Sequence, residues 1–138
     1  MEFERYERGH LDGVLSICSE EGWKSYTSDA ERTHRALTAP GVTTIVAVDQ
    51  GEVCGFAQLQ SDGEIQAHLS LLAVAKAWRR QGIGQKLITF GFEQCGGIRM
   101  DLITDDAQAF YQAMKYSQKF GFRLHPDVPY VGLSLNPT

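Results

Sequence analysis

Apolar residues recur with a helical period in some stretches of the chain and in short alternating or continuous runs in others. Between residues 10 and 21 they stand three and four apart, which predicts an amphipathic helix. Residues 43–60 hold two runs rich in β-branched side chains, separated by a polar turn at 49–52, and this pattern is typical of a hairpin. A longer apolar run at 64–74 predicts a further strand.

The complete pattern predicts strand, two helices, three strands, helix, strand, helix and two strands. The predicted ranges are 2–8, 10–21, 28–37, 43–48, 53–60, 64–74, 82–94, 99–103, 104–113, 116–122 and 130–135. Three consecutive strands followed by a strand-helix-strand unit predict a mixed sheet with helices on its faces, an α/β (α+β) fold.

Length and composition fit one globular domain spanning residues 1–138. With 138 residues the chain is long enough to bury a core without disulfides or metals. Its 43% hydrophobic and 22% charged content is ordinary for a soluble protein. The net charge of −4 argues against nucleic acid as a partner, because nucleic-acid-binding domains are usually basic.

The cysteines and the apolar segments point to the cytoplasm. Cys18, Cys54 and Cys95 are odd in number and show no C-x-x-C spacing, so neither a disulfide framework nor a zinc site is predicted. The first residues are acidic and lack the apolar core of a signal peptide. No stretch approaches the roughly 18 apolar residues of a membrane span. We therefore expect a cytoplasmic protein without a metal or a membrane partner.

A basic, glycine-containing turn joins the run at 64–74 to the next helix. Gly82 and Gly84 let the backbone approach a ligand closely, and the amides of the first helical turn have no partner inside the helix. These amides and the positive end of the helix dipole favour an anion. Arg79 and Arg80 add positive charge and are suited to phosphate oxygens. The turn therefore predicts a phosphate-binding site.

The spacing of this turn excludes two common nucleotide motifs. Gly84 is followed by Gln85 rather than by the Lys-Ser/Thr pair of a Walker motif, and the three glycines of the dinucleotide fingerprint are absent. The pattern R-x-x-G-x-G resembles the acetyl-CoA pyrophosphate loop of the GNAT N-acetyltransferase superfamily. That resemblance implies that the loop residues bind acetyl-CoA: Arg79, Arg80, Gln81, Gly82, Ile83, Gly84 and Gln85.

A second stretch, residues 104–116, resembles another GNAT motif, N-x-x-A-x-x-F/L-Y-x-x-x-G-F. The match places Ala107 and Phe110 on cofactor-binding positions and Tyr111 on the tyrosine that commonly acts as general acid. Thr104, which is also expected at the cofactor, stands where the family has Asn.

The end of this motif departs from the family pattern, since Lys115 and Tyr116 replace the Gly-Phe pair. A second register centred on Tyr116, with Gly121-Phe122 as the pair, is off by one residue and lacks the helix before the tyrosine. We prefer Tyr111.

The resemblance also implies a six- to seven-stranded, mostly antiparallel sheet with about four helices. In this fold a bulge splits the fourth strand from the fifth, and the pantetheine arm pairs with backbone groups in the gap, here those of Leu72 and Val74. A backbone amide near Val74 could hold the acyl oxygen as it gains charge.

The general base is less well defined than the acid. Many members carry Glu on the fourth strand where this chain has Ser70. His68 lies two residues earlier, so an alternating strand places it on the face of Ser70 and Leu72, and an imidazole can accept a proton at neutral pH. Glu64 and a chain of water molecules are the alternatives.

These features predict an acetyl-CoA-dependent N-acetyltransferase that acts by direct attack of a primary amine of a small molecule or peptide. A CoA-sensing module of the same fold without catalysis and a plain interaction domain are the alternatives. The resemblance places the acceptor between the first two helices and the last hairpin, near Trp23, Tyr26 and Tyr130, and it allows a homodimer.

Overall fold

The computed structural model describes residues 1–126 and contains five strands and five helices in that range. The strands are β1 (Glu2–Arg5), β2 (Val42–Asp49), β3 (Glu52–Ser61), β4 (Gln66–Val74) and β5 (Arg99–Asp101). The helices are α1 (Leu11–Glu21), α2 (Lys24–Thr27), α3 (Ala30–Leu37), α4 (Ile83–Cys95) and α5 (Gln108–Gln112), and 3-10 turns lie at Arg8–His10 and Lys76–Trp78.

The strands form one mixed sheet in the order β1-β2-β3-β4-β5. β1 to β4 pair antiparallel in sequence, and β5 joins β4 in parallel after the crossover through α4. The predicted α/β fold with a mostly antiparallel sheet is confirmed. The described residues contain five strands rather than the six or seven expected.

The predicted strand at 116–122 is wrong. Residues 113–126 pair with no strand in the described part of the chain, and Phe120 and Phe122 are 99% and 79% exposed. Alternating side chains favour a strand only where a neighbouring strand accepts the backbone hydrogen bonds. The predicted strand at 130–135 lies outside the described residues.

The chain groups into two compact units, Met1–Leu102 and a smaller one beginning at Ile103. The first contains the complete sheet with α1 to α4, and the second contains α5. A single domain over residues 1–138 stays a prediction. None of the helices found in residues 1–126 has the length and apolar character required to cross a bilayer.

Two layers of helices cover the sheet. On one face, which we call the α1 face, Val46 and Phe56 pack in a core cluster with residues of α1 and α3. On the other, the α4 face, Leu59 and Ile45 lie under Gly91 of α4. Successive side chains of β2 and β3 alternate between these two covered faces. Both strands are therefore buried on both sides.

Asp29 and Gly96 mark the ends of two helices. The Asp29 carboxylate accepts a hydrogen bond from the Arg32 amide at 3.1 Å and caps α3. Gly96 ends α4 with φ of 84°, and a Cβ there would lie 2.6 Å from the Gly63 carbonyl oxygen. Residues 24–27, where the apolar period breaks, form the short helix α2 rather than a loop.

A β-bulge at Ser70 interrupts β4. Leu71 pairs with Gln58 and Leu69 pairs with the next residue of β3, so Ser70 has no partner opposite it in that strand. As a result His68 lies opposite Gln60, whereas Leu72 lies opposite Ala57, three residues away along β3.

Paired residues share a face of the sheet, and residues three apart on one strand lie on opposite faces. His68 and Ser70 stay together, as the 2.9 Å hydrogen bond from Gln60 Nε2 to Ser70 Oγ indicates. The prediction that Leu72 shares their face is wrong, because the bulge turns Leu72 to the α4 face.

The predicted splay between β4 and β5 is present. The two strands pair only where Gln66–His68 meets Arg99–Asp101. β4 continues to Val74, and no further strand pairs with this edge in residues 1–126. The sheet therefore opens beside the second half of β4.

Gly91 sets the distance between α4 and the sheet. A Cβ at this position would lie 2.7 Å from Leu59 Cδ1, and Leu59 is fully buried. We expect Gly91→Val to lower the free energy of unfolding by about 1–3 kcal/mol because the added atoms overpack this contact. Urea denaturation would measure it.

Gln94→Val places the same side chain on the exposed side of α4 and should change stability by less than about 0.5 kcal/mol. Equal stabilities of the two variants would show that α4 does not need this close approach.

Candidate functional site

The chain passes from β4 through the 3-10 turn Lys76–Trp78 into the loop at residues 79–82. Arg80 has φ of 64° and Gly82 has φ of 78°, so two of three consecutive residues are left-handed. Glycine adopts this left-handed conformation without strain, whereas a non-glycine residue adopts it at a cost of roughly 1–2 kcal/mol. Strain of this kind often lies at ligand sites.

The N-terminus of α4 presents free amides. Gly82 is the N-cap and no side chain accepts a hydrogen bond there, and the first turn contains no acidic residue. The first bond inside the helix runs from the Lys86 amide to the Gly82 carbonyl oxygen at 3.2 Å. The amides of Ile83, Gly84 and Gln85 thus remain available to an acceptor. An anion would satisfy them and meet the positive end of the helix dipole.

The two arginines of the loop are in different environments. Arg79 Nε donates to the Val74 carbonyl oxygen at 3.1 Å, and Arg79 Nη2 lies 2.6 Å from Glu21 Oε1 at the end of α1. Arg80 is exposed and makes no hydrogen bond or ion pair with any residue in 1–126. Of the two arginines, only Arg80 therefore has an unpaired charge in this loop. Both arginines were predicted to supply positive charge to a phosphate.

Two further carboxylates hold the segment before the loop. The Lys76 amide donates to Glu20 Oε1 at 3.1 Å, and the Trp78 indole N–H donates to Glu52 Oε2 at 2.8 Å. Neither Glu20 nor Glu52 was predicted from the sequence. One signal was available for Glu20: acidic residues at the C-terminal end of a helix oppose its dipole, so a tertiary partner is expected.

The open edge of β4 presents backbone groups. The Ala75 amide donates to the Cys54 carbonyl oxygen at 2.8 Å, towards β3. In a trans peptide the preceding carbonyl points the opposite way, so the Val74 C=O faces the open edge. By the two-residue repeat of a strand, the backbone groups of Leu72 face the same edge. An extended ligand could pair with this edge.

His68 lies on the α1 face, away from the side chain of Leu72. It borders a shallow depression of about 380 Å³ between the ends of β2, β3 and β4. The alternative base, Glu64, belongs to the turn before β4, where its amide donates to Asp62 Oδ1 at 2.8 Å. Hydrogen bonds from the amides of Ile65 and Glu64 lower the pKa of Asp62, so this turn keeps its carboxylate ionised.

The second unit contains the tyrosine motif. Tyr111 lies in α5, and burial raises the pKa of its hydroxyl, so the group stays protonated at neutral pH. Its ring meets that of Phe110 edge to face, with centroids 5.0 Å apart. Thr104 Oγ1 accepts the Ala107 amide at 3.1 Å. This bond closes a turn that ends at Ala107, the N-cap of α5. Tyr116 follows α5 and is 55% exposed.

The three cysteines lie inside the structure. Cys18, Cys54 and Cys95 are buried and unpaired. Burial raises the pKa of Cys18 to about 11 and also raises the pKa of Cys54. In residues 1–126, no three His, Cys, Asp or Glu side chains are grouped to hold a metal ion.

Trp23 packs against the core of the α1 face, with its ring 6.5 Å from Phe56 and 6.3 Å from Tyr26. Tyr130 lies outside the described residues. The two described aromatics therefore line the α1 face.

Replacement of Arg80 separates backbone strain from charge. We expect Arg80→Gly to raise the free energy of unfolding by about 0.5–1 kcal/mol because glycine accepts the positive φ without strain. Arg80→Gln removes the same charge, keeps the strain and should leave stability unchanged. Thermal denaturation would compare them, and equal melting temperatures would mean that Arg80 is not strained.

Comparisons with known proteins agree with this geometry. A family model for the GNAT acetyltransferase domain matches residues 40–123. No curated protein matches the chain. Among solved structures, similar folds include a transcriptional regulator from Bacillus halodurans C-125, with 17% identity, coverage of 90% of this chain and 98% of that one, and a TM-score of 0.73.

Two acetyltransferases are also similar in fold. One is a GNAT family protein from Streptococcus pneumoniae TIGR4, with 21% identity, coverage of 91% and 98%, and a TM-score of 0.72. The other is an aminoglycoside N-acetyltransferase in complex with CoA, with 17% identity, coverage of 90% and 97%, and a TM-score of 0.68. Because the family model covers more than half of the sequence, the chain belongs to the GNAT acetyltransferase domain family.

Proposed function

We propose that this protein is an N-acetyltransferase that moves the acetyl group of acetyl-CoA to a primary amine of a small molecule or peptide. The observation that carries the proposal is the free N-terminus of α4 directly after a strand with an open edge. The first suits the pyrophosphate of the donor, and the second suits its extended arm.

The donor would bind in two ways. Its pyrophosphate accepts hydrogen bonds from the amides at the start of α4, with Arg80 supplying charge at the mouth. Its pantetheine arm carries amide groups, which pair with the outward N–H and C=O of Leu72 and the outward N–H of Val74 as an added strand would. Gln81 and the motif residues Thr104, Ala107 and Phe110 complete the proposed contacts. The reaction needs no metal.

In the transfer step the amine nitrogen attacks the thioester carbonyl carbon and forms a tetrahedral intermediate. When this collapses, the carbon–sulfur bond breaks and the sulfur leaves with the bonding electron pair. Tyr111 would donate its proton to that sulfur, and the raised pKa of its hydroxyl supports the role because the proton is present at neutral pH.

The amine must lose a proton to a base. His68 is our first choice, since it lies on the β4 strand, beside Ser70 and the bulge. Glu64 and a chain of water molecules remain the alternatives. Direct transfer in a ternary complex is favoured over an acyl-cysteine intermediate because the cysteines are buried, and burial holds the thiols of Cys18 and Cys54 protonated.

For the acceptor we propose a small cationic amine, with a peptide amine as the alternative. The similar structures include N-acetyltransferases that act on aminoglycosides, as their names state, and this supports a small-molecule amine. The net charge of −4 would favour a cationic partner. As the sequence predicts, we also propose a single cytoplasmic domain without nucleic-acid or membrane partners, and the family resemblance allows a homodimer.

A second candidate function is a sensor that binds CoA or acyl-CoA without catalysis. Ser70 favours it, because many family members carry a glutamate there, and one similar structure is a transcriptional regulator. Calorimetric titration with acetyl-CoA, followed by a panel of amines with detection of the released thiol, separates the two. Binding with thiol release identifies the enzyme, and binding without release identifies the sensor.

Gly82→Asp tests the anion site. A carboxylate at the N-cap would occupy the space of the phosphate and repel it, so we expect acetyl-CoA affinity to fall by about 10²-fold or more. Isothermal titration calorimetry would measure this. Gly51→Asp also replaces a glycine of positive φ by a charge, in the β2–β3 turn, and should leave the affinity unchanged. Equal affinities of the two variants would show that the phosphate does not bind at the N-terminus of α4.

Tyr111→Phe tests the general acid. We expect kcat to fall by about 10²-fold while the acetyl-CoA dissociation constant stays unchanged, because only the proton donor is lost. Because the pKa of Tyr111 is raised, wild-type turnover should not decline between about pH 7 and pH 9 through loss of this proton. Tyr116→Phe is the control, and a loss of turnover in that variant alone would assign the acid to Tyr116.

A further inference from the structure

Arg79 contacts the strand that would receive the donor rather than facing the solvent at the mouth of the loop. Its Nε hydrogen-bonds to the Val74 carbonyl oxygen, and its Nη2 pairs with Glu21. One guanidinium thus joins three elements, because Val74 ends β4, Glu21 ends α1, and Arg79 begins the loop to α4. The planar fork of arginine is suited to two such bonds at fixed angles.

The Val74 carbonyl is one of the groups that an added strand would use. Leu72 and Val74 both direct their N–H and C=O groups to the open edge of β4. Arg79 already donates to the last acceptor on this edge, and its guanidinium lies against that carbonyl, so the unobstructed groups are those of Leu72 and the Val74 amide. A ligand shifted further along the edge towards the loop would lose an acceptor and collide with the guanidinium.

We propose that Arg79 is a positioning residue that fixes the register in which the extended arm of the acyl donor adds to β4, and that Glu21 holds Arg79 in place. The inference rests on the proposed function. It assigns Arg79 to the strand edge and leaves phosphate binding to Arg80 and the α4 amides. A fixed register matters because it determines where the thioester carbon lies along the strand.

The charges agree with this division. Glu21 Oε1 lies 2.6 Å from Arg79, so the pair has little net charge to offer a phosphate, whereas Arg80 has no counter-ion in residues 1–126. Arg79 and Glu21 are 45% and 27% exposed, and an exposed ion pair contributes little to stability. Their geometry, rather than the free energy of the pair, is therefore the feature that function would use.

The nucleotide half and the pantetheine half of the donor can be tested separately with Arg79→Gln. Adenosine 3′-phosphate 5′-diphosphate contains all the phosphates of CoA and no pantetheine, and S-acetylpantetheine contains the thioester arm and no phosphate. We expect Arg79→Gln to leave the affinity for the nucleotide within about twofold of wild type. Affinity for acetyl-CoA and kcat/KM with S-acetylpantetheine should each fall about 10-fold, because the edge of β4 would no longer be preorganised for a single register of the arm.

The same variant should also lower kcat at saturating acetyl-CoA by about 10-fold, because a shifted register misplaces the thioester. Loss of a phosphate contact alone would raise KM and leave kcat unchanged. Glu21→Gln should change these values in the same direction by a smaller factor, since the amide still accepts one hydrogen bond from Arg79.

Arg8→Gln is the matched control. Arg8 forms an exposed ion pair with Glu31 at 2.9 Å, so its replacement makes the same charge change away from the β4 edge. It should alter none of these constants. Equal melting temperatures of the three variants would show that folding is not the cause of any change.

Two results would overturn the inference. If Arg79→Gln weakened the nucleotide and acetyl-CoA by the same factor, Arg79 would be a phosphate ligand. If it changed neither acetyl-CoA affinity nor kcat while wild type bound acetyl-CoA, the register would not depend on it. Failure of wild type to bind acetyl-CoA is a separate result, and it would remove the proposed function together with this inference.

Discussion

The proposed donor site depends on the fact that β4 and β5 pair only over the first residues of β4. The two strands share hydrogen bonds only at Gln66–His68, so the remainder of β4 keeps an unpaired row of backbone donors and acceptors. Such an edge is costly to leave without partners and usually attracts another chain or ligand. In this protein part of the row is satisfied internally, because Arg79 bonds the Val74 carbonyl, and the rest is left for an extended ligand.

The bulge at Ser70 changes which side chains of β4 point to each face of the sheet. Because the alternation of side chains is reset there, His68 lies on the α1 face and Leu72 on the α4 face. The proposed base is thus separated from the donor-facing half of the strand by a backbone irregularity, not by a change of element. The same bulge explains why a count of residues along the strand assigns Leu72 to the wrong face.

The loop before α4 is a basic feature of a protein whose net charge is −4. Glu20 and Glu52 accept hydrogen bonds from the segment leading to the loop, and Glu21 pairs with Arg79 and neutralises its charge. Arg80 and the α4 amides then remain in this loop as unpaired donors for a phosphate. An anion would be directed to the loop by this contrast more than by the overall charge of the protein.

Much of the fold follows from local sequence signals. The periods of apolar residues predict α1, α3, α4 and the β2–β3 hairpin, and the R-x-x-G-x-G turn predicts the free helix N-terminus, because these features depend on neighbours within a few residues. The wrong prediction of a strand at 116–122 shows the limit of this reasoning, since alternation forms a ladder only with a partner strand and residues 1–126 offer none. The roles of His68 and Tyr111 stay predictions.

The partners of Arg79 were decided only by the tertiary structure. Its bond to Glu21 joins residues 58 apart in the chain, and no periodicity extends over that distance. The sequence alone determined that an arginine, two glycines and a helix start would lie together. Packing of α1 against the sheet determined that one arginine would be used inside the protein and its neighbour left free, because an ion pair requires the two side chains to meet in space.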